Sequence, residues 1–256
     1  MNSVIENYKK TVAESNYIRH ALGAFDGHIY LNTIEAADFW YEKGSRLFEV
    51  DVRITSDGVP VLSHGWNKSG LPKDFPFPFD TEKSSITHEE FKKSLLWGKY
   101  KASDIHELAD FLEKHQDAYI MIDIGRANYT ETKKIYRAIV REVNNNSILS
   151  RFIVGGHTTD AIMAVKETYD FSLYNLYYAR DNIREDVIKT PYQFIRFCDE
   201  NHISSFSIAA ERFTDWLAEQ FKNAALISYL FTIDKNNEAG WYRVRGASVI
   251  GTNTLE

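Results

Sequence analysis

The chain has 256 residues, 44% hydrophobic and 14% aromatic, which suits one large domain with a substantial core. A net charge of -6 excludes a general nucleic-acid binder, yet leaves room for a local basic pocket that takes a phosphorylated small molecule. The single cysteine, Cys198, excludes an intramolecular disulfide and any cysteine-built zinc site.

The first sixteen residues are polar, with Glu6, Lys9, Lys10 and Glu14, and lack the apolar run of a signal peptide. No later run is long enough to span a bilayer, so a cytoplasmic location is expected. Apolar runs of strand length follow at residues 17–22, 47–53, 119–123, 152–155, 171–177, 204–208, 226–232 and 247–251. Helical patterns lie between them at residues 33–43, 105–115, 130–144, 159–169, 191–201, 210–222 and 236–244. This alternation predicts parallel strands joined by helical crossovers. Eight such units predict an α/β fold, a closed (β/α)8 barrel of the TIM type over residues 1–256. A doubly wound open sheet has the same periodicity, but neither a glycine-rich dinucleotide fingerprint nor a phosphate loop is present.

Asn32-Thr33 is placed to open the first helix and Gly44 to close it in a left-handed turn. Residues 54–103 break the rhythm and read as a small insertion after the second strand, lying over one mouth of the barrel. Asp57-Gly58 forms a tight turn there, followed by a short strand at residues 59–63. Residues 72–79 interleave prolines with phenylalanines, which forbids regular helix. They read as a loop pinned by aromatic side chains, or else as an apolar wall for a substrate.

The chemistry concentrates in the second strand. Alternate strand residues share a face, so Glu49, Asp51 and Arg53 point one way and Phe48, Val50 and Val52 the other. The third strand ends at Asp123, on the face of Met121 and Tyr119. Barrels of this type carry their chemistry at the C-terminal strand ends, where Glu49, Asp51 and Asp123 can converge on one cation. An all-oxygen donor set favours Mg²⁺ or Ca²⁺. The alternatives are an internal ion-pair network with Arg53, and for Asp123 a cap on the next turn. His20, after the first strand, and His64, after the short strand, are the acid/base candidates for in-line displacement at phosphorus.

The run Glu49-Val50-Asp51-Val52-Arg53-Ile54-Thr55-Ser56-Asp57-Gly58-Val59-Pro60-Val61-Leu62-Ser63-His64 resembles the signature of the glycerophosphodiester phosphodiesterases, phospholipase-C-like phosphodiesterase barrels. His20-Ala21-Leu22-Gly23 resembles that family's first catalytic histidine and its glycine-containing turn. Asn32-Thr33 resembles the pair that opens the family's first helix, and Asp123 matches its third metal ligand. The detailed resemblance covers residues 17–126. It implies a metal-dependent phosphodiesterase acting on a small-molecule phosphodiester, with His20 and His64 catalytic and Glu49, Asp51 and Asp123 on the metal.

Several positions depart from the family pattern. Ala21 stands where many members have Arg, Gly65 where many have Asp, and Gly125 where a phosphate-facing Lys is usual. Gly155-Gly156-His157-Thr158 replaces a Gln-x-Tyr pattern, and the last strand ends Gly251-Thr252-Asn253 rather than in Thr-Asp. These departures bear on the substrate more than on the reaction. Arg126 is the candidate replacement for the lysine, since a guanidinium binds phosphate through two donors. Arg53 and Trp66 complete the expected substrate shell, with packing the alternative role for Trp66. His157 is expected to cap a helix, and His28 is an alternative first histidine. A non-catalytic barrel binding a phosphorylated ligand or partner is the competing function. The choice between lyase and hydrolase stays open, as does the oligomeric state.

Overall fold

The computed structural model describes residues 2–66, 71, 75, 85–178 and 190–256. Its first half runs α1 (Asn2–Glu14), β1 (Tyr17–Arg19), α2 (Ile34–Glu42), β2 (Leu47–Ile54), β3 (Pro60–Leu62), α3 (His88–Lys92), β4 (Leu95–Leu96), β5 (Tyr100–Lys101), α4 (Ile105–Lys114), β6 (Tyr119–Asp123) and α5 (Tyr129–Val143). Then come α6 (Asn146–Leu149), β7 (Phe152–Gly156), α7 (Thr159–Lys166), β8 (Leu173–Tyr177), α8 (Pro191–Glu200), β9 (Ser205–Ala209), α9 (Asp215–Asn223), β10 (Ile227–Phe231), α10 (Asn236–Val244) and β11 (Val249–Thr252).

Parallel pairing runs β1–β2–β6–β7–β8–β9–β10–β11, and β11 returns to β1, which closes the (β/α)8 barrel and rules out the open sheet. Strand parity sorts the side chains as the sequence predicts. Phe48, Val50, Val52, Ile120 and Ile122 pack outward against the helices, in one cluster with Leu108, Phe111, Tyr136 and Ile139. Leu47, Tyr119, Met121, Ile153, Leu173, Tyr229 and Val249 fill the barrel interior.

Helix α1, for which the sequence pattern predicts no element, packs on that interior cluster through Tyr8 and Val12. These residues are one helical turn apart and so share a face. Tyr8 is fully buried, and its hydroxyl meets that of Tyr229 at 2.5 Å. Other boundaries shift where a 3-10 turn replaces regular structure. The predicted strand at 17–22 stops at Arg19, because His20–Leu22 form such a turn, with Ala21 and Leu22 left-handed at φ 49 and 66. The predicted helix at 210–222 starts at Asp215, after a 3-10 turn over Ala210–Arg212, and is capped by the Thr214 hydroxyl.

Arg19 turns outward from the barrel. Its guanidinium lies 3.7 Å from the Trp40 ring centroid and donates to Ser45 and to the Leu255 carbonyl. Burial lowers its pKa to about 10. Between β2 and α4, β3 folds back antiparallel on β2, and β4 pairs with β5. Residues 72–79 lie outside the described residues except Phe75, which packs with Leu31, Leu96 and Tyr100. Among the described residues, no helix is long and apolar enough to cross a membrane.

Candidate active site

The C-terminal ends of the strands ring a cavity of about 370 Å³ lined by His20, Glu49, Asp51, His64, Asp123 and His157, among others. Parallel register sets Asp51 beside Asp123 and Glu49 beside Met121. One ligand oxygen from each of Glu49, Asp51 and Asp123 lies within 4.8 Å of the others. Among the described residues, this is the one group of histidine, cysteine and carboxylate side chains spaced to hold a metal.

Each carboxylate is held by a different device. Glu49 accepts the backbone N–H of Ala21 at 2.8 Å, which the left-handed 3-10 turn aims inward. Asp51 is clamped by Asn32, whose Nδ2 donates to Oδ2 at 3.0 Å while its Oδ1 accepts the Asp51 N–H at 3.0 Å. Asn32 therefore serves the site, beyond its place before the α2 cap. Asp123 accepts the Gly125 N–H at 2.6 Å and the Tyr177 hydroxyl at 2.7 Å. His157 Nε2 stands 3.5 Å from Asp123 Oδ1, and its ring stacks on Tyr177 with centroids 3.8 Å apart. The expected capping role falls instead to Thr158, whose side chain caps α7.

The electrostatics of the three acids call for a cation. Burial, and then the charges of Asp51 and Asp123, push the Glu49 carboxyl well above the usual carboxylate range. Burial acts the same way on Asp123. The hydrogen bond and charge of His157, with the Tyr177 hydroxyl and the Gly125 N–H, outweigh it and hold Asp123 well below that range. Among the described residues, no lysine or arginine forms an ion pair with the three acids, so the expected alternative of a pairing with Arg53 is not realised. The Arg53 guanidinium donates to the Val52 carbonyl at 2.8 Å and lies over Gly125, where a Cβ would meet its Nη2 at 3.0 Å. Three clustered oxygen donors, with no lysine or arginine paired to them among the described residues, fit one hard divalent cation.

His20 and His64 face the same cavity from two sides of Tyr30, whose ring centroid is 4.9 Å from His20 and 5.7 Å from His64. His64 arrives there because the Asp57-Gly58 turn sends β3 back along β2, with the Ser63 N–H donating to the Asp51 carbonyl at 2.9 Å. Its Nδ1 is buried and has no hydrogen-bond partner among the described residues.

His20 is oriented by a relay. Asp234 accepts from Asn253 Nδ2 at 2.9 Å, from the Asn253 N–H at 2.7 Å and from the Thr252 hydroxyl at 2.7 Å. Burial raises the Asp234 pKa, but those donors lower it more, so Asp234 is ionised and only accepts. The amide of Asn253 must then turn its Oδ1 toward His20 Nδ1, 3.0 Å away. That places a proton on Nδ1, so that in the neutral ring Nε2, 3.9 Å from Glu49 Oε2, is the acceptor.

Arg126 is exposed and lines the cavity. Arg53 and Trp66 line a neighbouring depression that shares Arg126 with it, and the Trp66 ring packs edge-on to Phe91 at 6.3 Å. His28 stacks on Trp97 at 4.1 Å, away from the cavity lining. Tyr177 and Arg212, to which the sequence pattern assigns no role, line the cavity, and Asn253, named above only as a departure from the family pattern, supports it. Tyr177 carried a usable signal, since it ends a predicted strand, and strand ends carry the chemistry in this fold.

Comparison with solved structures finds the same fold. A glycerophosphodiester phosphodiesterase from Thermotoga maritima superposes with a TM-score of 0.70 at 18% identity, covering 93% of this chain and 94% of that one. An Oleispira antarctica phosphodiesterase in complex with the product sn-glycerol-3-phosphate gives a TM-score of 0.71 at 14% identity, covering 96% and 95%. One from Parabacteroides distasonis gives 0.70 at 16%, covering 93% and 92%. A search of curated proteins found no match. The model of the glycerophosphoryl diester phosphodiesterase family matches residues 23–256, so the chain, an enzyme of the phosphoric diester hydrolase class, belongs to that family.

Proposed function

We propose that the protein is a metal-dependent phosphodiesterase that cleaves a small glycerophosphodiester-like compound with His20 and His64 as acid and base. The observation that carries this reading is the carboxylate trio that shares one cavity with the His20 and His64 imidazoles. Glu49, Asp51 and Asp123 would hold one Mg²⁺ or Ca²⁺, whose charge would offset that developing on the phosphoryl oxygens. His20 Nε2, the acceptor of the neutral ring that the Asp234–Asn253 relay orients, takes the proton of the attacking water or substrate hydroxyl. His64, across Tyr30, gives a proton to the departing alkoxide as its bond to phosphorus breaks. Arg126 at the rim binds the phosphate, and Arg53 and Trp66 flank the outer part of the substrate. The product held by the Oleispira relative supports a glycerol phosphate among the products.

The test is release of glycerol phosphate from glycerophosphodiesters by chelator-treated protein with Mg²⁺ or Ca²⁺ restored, followed by ³¹P NMR. Turnover should require the cation and fall about 10²–10⁴-fold in His20→Ala and His64→Ala. A cyclic phosphate product marks attack by the substrate's own hydroxyl, and an acyclic one marks attack by water. Equal background in wild type and both variants would mean a binding barrel and overturn the catalytic reading.

A further inference from the structure

A chain of depressions leaves the cavity and runs along α5. Arg126 is shared by the cavity and the depression holding Arg53 and Trp66, about 460 Å³ in volume. Lys134 and Ile54 are shared by that depression and a third of about 390 Å³, lined on one side by α5 and on the other by Gly58 of the β2–β3 turn. The two outer depressions are lined by Arg53, Arg126, Lys133, Lys134, Arg137 and Arg141 against one acid, Glu131. This basic stretch stands out on a chain of net charge -6.

Local helix energetics disfavour the arrangement. Lys133, Arg137 and Arg141 follow one another at four-residue steps, so they form a single ridge about 12 Å long. Like charges at that spacing destabilise a helix by roughly 0.2–0.5 kcal/mol per pair. Lys133 is relieved by Glu167 at 2.7 Å, and Arg141 by Glu142 at 2.7 Å. Among the described residues, exposed Lys134 and Arg137 form no ion pair. Glu131 is engaged with the Asn128 N–H in the capping box of α5.

We propose that these depressions are a subsite track for the remainder of a linear poly(polyol phosphate), whose terminal diester enters the cavity past Arg126. This rests on the phosphodiesterase reading above. A row of cations at regular steps, open at one end and leading at the other to a diester-cleaving centre, fits a substrate that repeats the scissile group along its length. Single-stranded nucleic acid is disfavoured, because the aromatic rings along the track are engaged within the fold, Trp66 edge-on to Phe91 at 6.3 Å. Tyr129 donates to Glu167 and lies under the Lys133 ammonium, 5.4 Å from its ring centroid.

The test uses glycerol-phosphate oligomers of defined length alongside glycerophosphoglycerol, with wild type and Lys134→Glu/Arg137→Glu. Wild-type kcat/KM should rise with length, and added salt should erase the rise. The double variant should lose roughly tenfold on long oligomers and nothing on the monomer. A wild type that cleaves the monomer with no length dependence overturns the track. Fluorescence anisotropy with labelled oligomers on His64→Ala separates the two readings. Oligomer binding that Lys134→Glu/Arg137→Glu abolishes, with no turnover of any diester, upholds the track and removes the catalytic reading. Single-stranded DNA or phosphatidylglycerol vesicles bound as tightly as the oligomers would overturn the assignment to polyol phosphates.

Discussion

Asn253 illustrates how much a single amide decides. Its Nδ2 is committed to Asp234, and that commitment turns its Oδ1 to His20 and sets which imidazole nitrogen faces the cavity. Asn253→Ala leaves His20 free to rotate and change tautomer. The expected result is a kcat about 10–100-fold lower with KM little changed, read from steady-state kinetics. Glu49 gives a second prediction, on stability. Burial and its two acidic neighbours raise its pKa in the folded state, so the folded protein binds the proton more tightly than the unfolded chain. The stability linked to this group is full below the unfolded carboxylate range and is lost as pH rises through the raised value. Asp123, whose pKa is lowered, acts in the opposite sense and loses its contribution as pH falls. Glu49→Gln should therefore stabilise the metal-free protein at pH 8 by about 1 kcal/mol, or roughly 2–4 °C in Tm, and gain less than wild type from added Mg²⁺ or Ca²⁺. Thermal melts with and without cation read both effects.

At the scale of elements, the turn after β1 aims two parts of the site. His20 opens it, and the Ala21 N–H within it holds Glu49. It is closed by Gly23 at φ 91, where a Cβ would lie 2.3 Å from Trp40 Cδ1. The sequence marks the histidine and the glycine but reads the segment as strand, since local pattern does not distinguish a strand end from a 3-10 turn of apolar residues. Gly23→Ala combines a disfavoured backbone with a clash against a buried indole and should cost about 2–4 kcal/mol, measured by denaturant unfolding. The β2–β3 hairpin was more legible. Asp57-Gly58 names the turn, and the antiparallel return sets Ser63 opposite Asp51, one residue before His64.

At the scale of the whole molecule, α1 has a partner only once the strands have closed. Tyr8 and Val12 look like two apolar residues in a polar segment until the interior residues of β1, β2, β6 and β10 form a surface for them. Tyr8→Ala removes a fully buried ring and the hydroxyl partner of Tyr229, and should cost about 3–5 kcal/mol in urea unfolding. The effect should appear as a lower midpoint with the slope unchanged.

The sequence by itself determined the alternation of strands and helices, the parity that puts Glu49, Asp51 and Asp123 on inward faces, and the turn that returns His64. These are local properties, written in residue spacing and turn chemistry. Only the tertiary structure decided that the sheet closes and that His157 and Tyr177 from β7 and β8 attend Asp123. It alone joined His20 through Asn253 to Asp234, and set Arg53 over Gly125 away from the acids. Each of these joins residues from different strand–helix units. Which strands become neighbours, and which side chain reaches across, is fixed by barrel closure and register, and no local pattern encodes either.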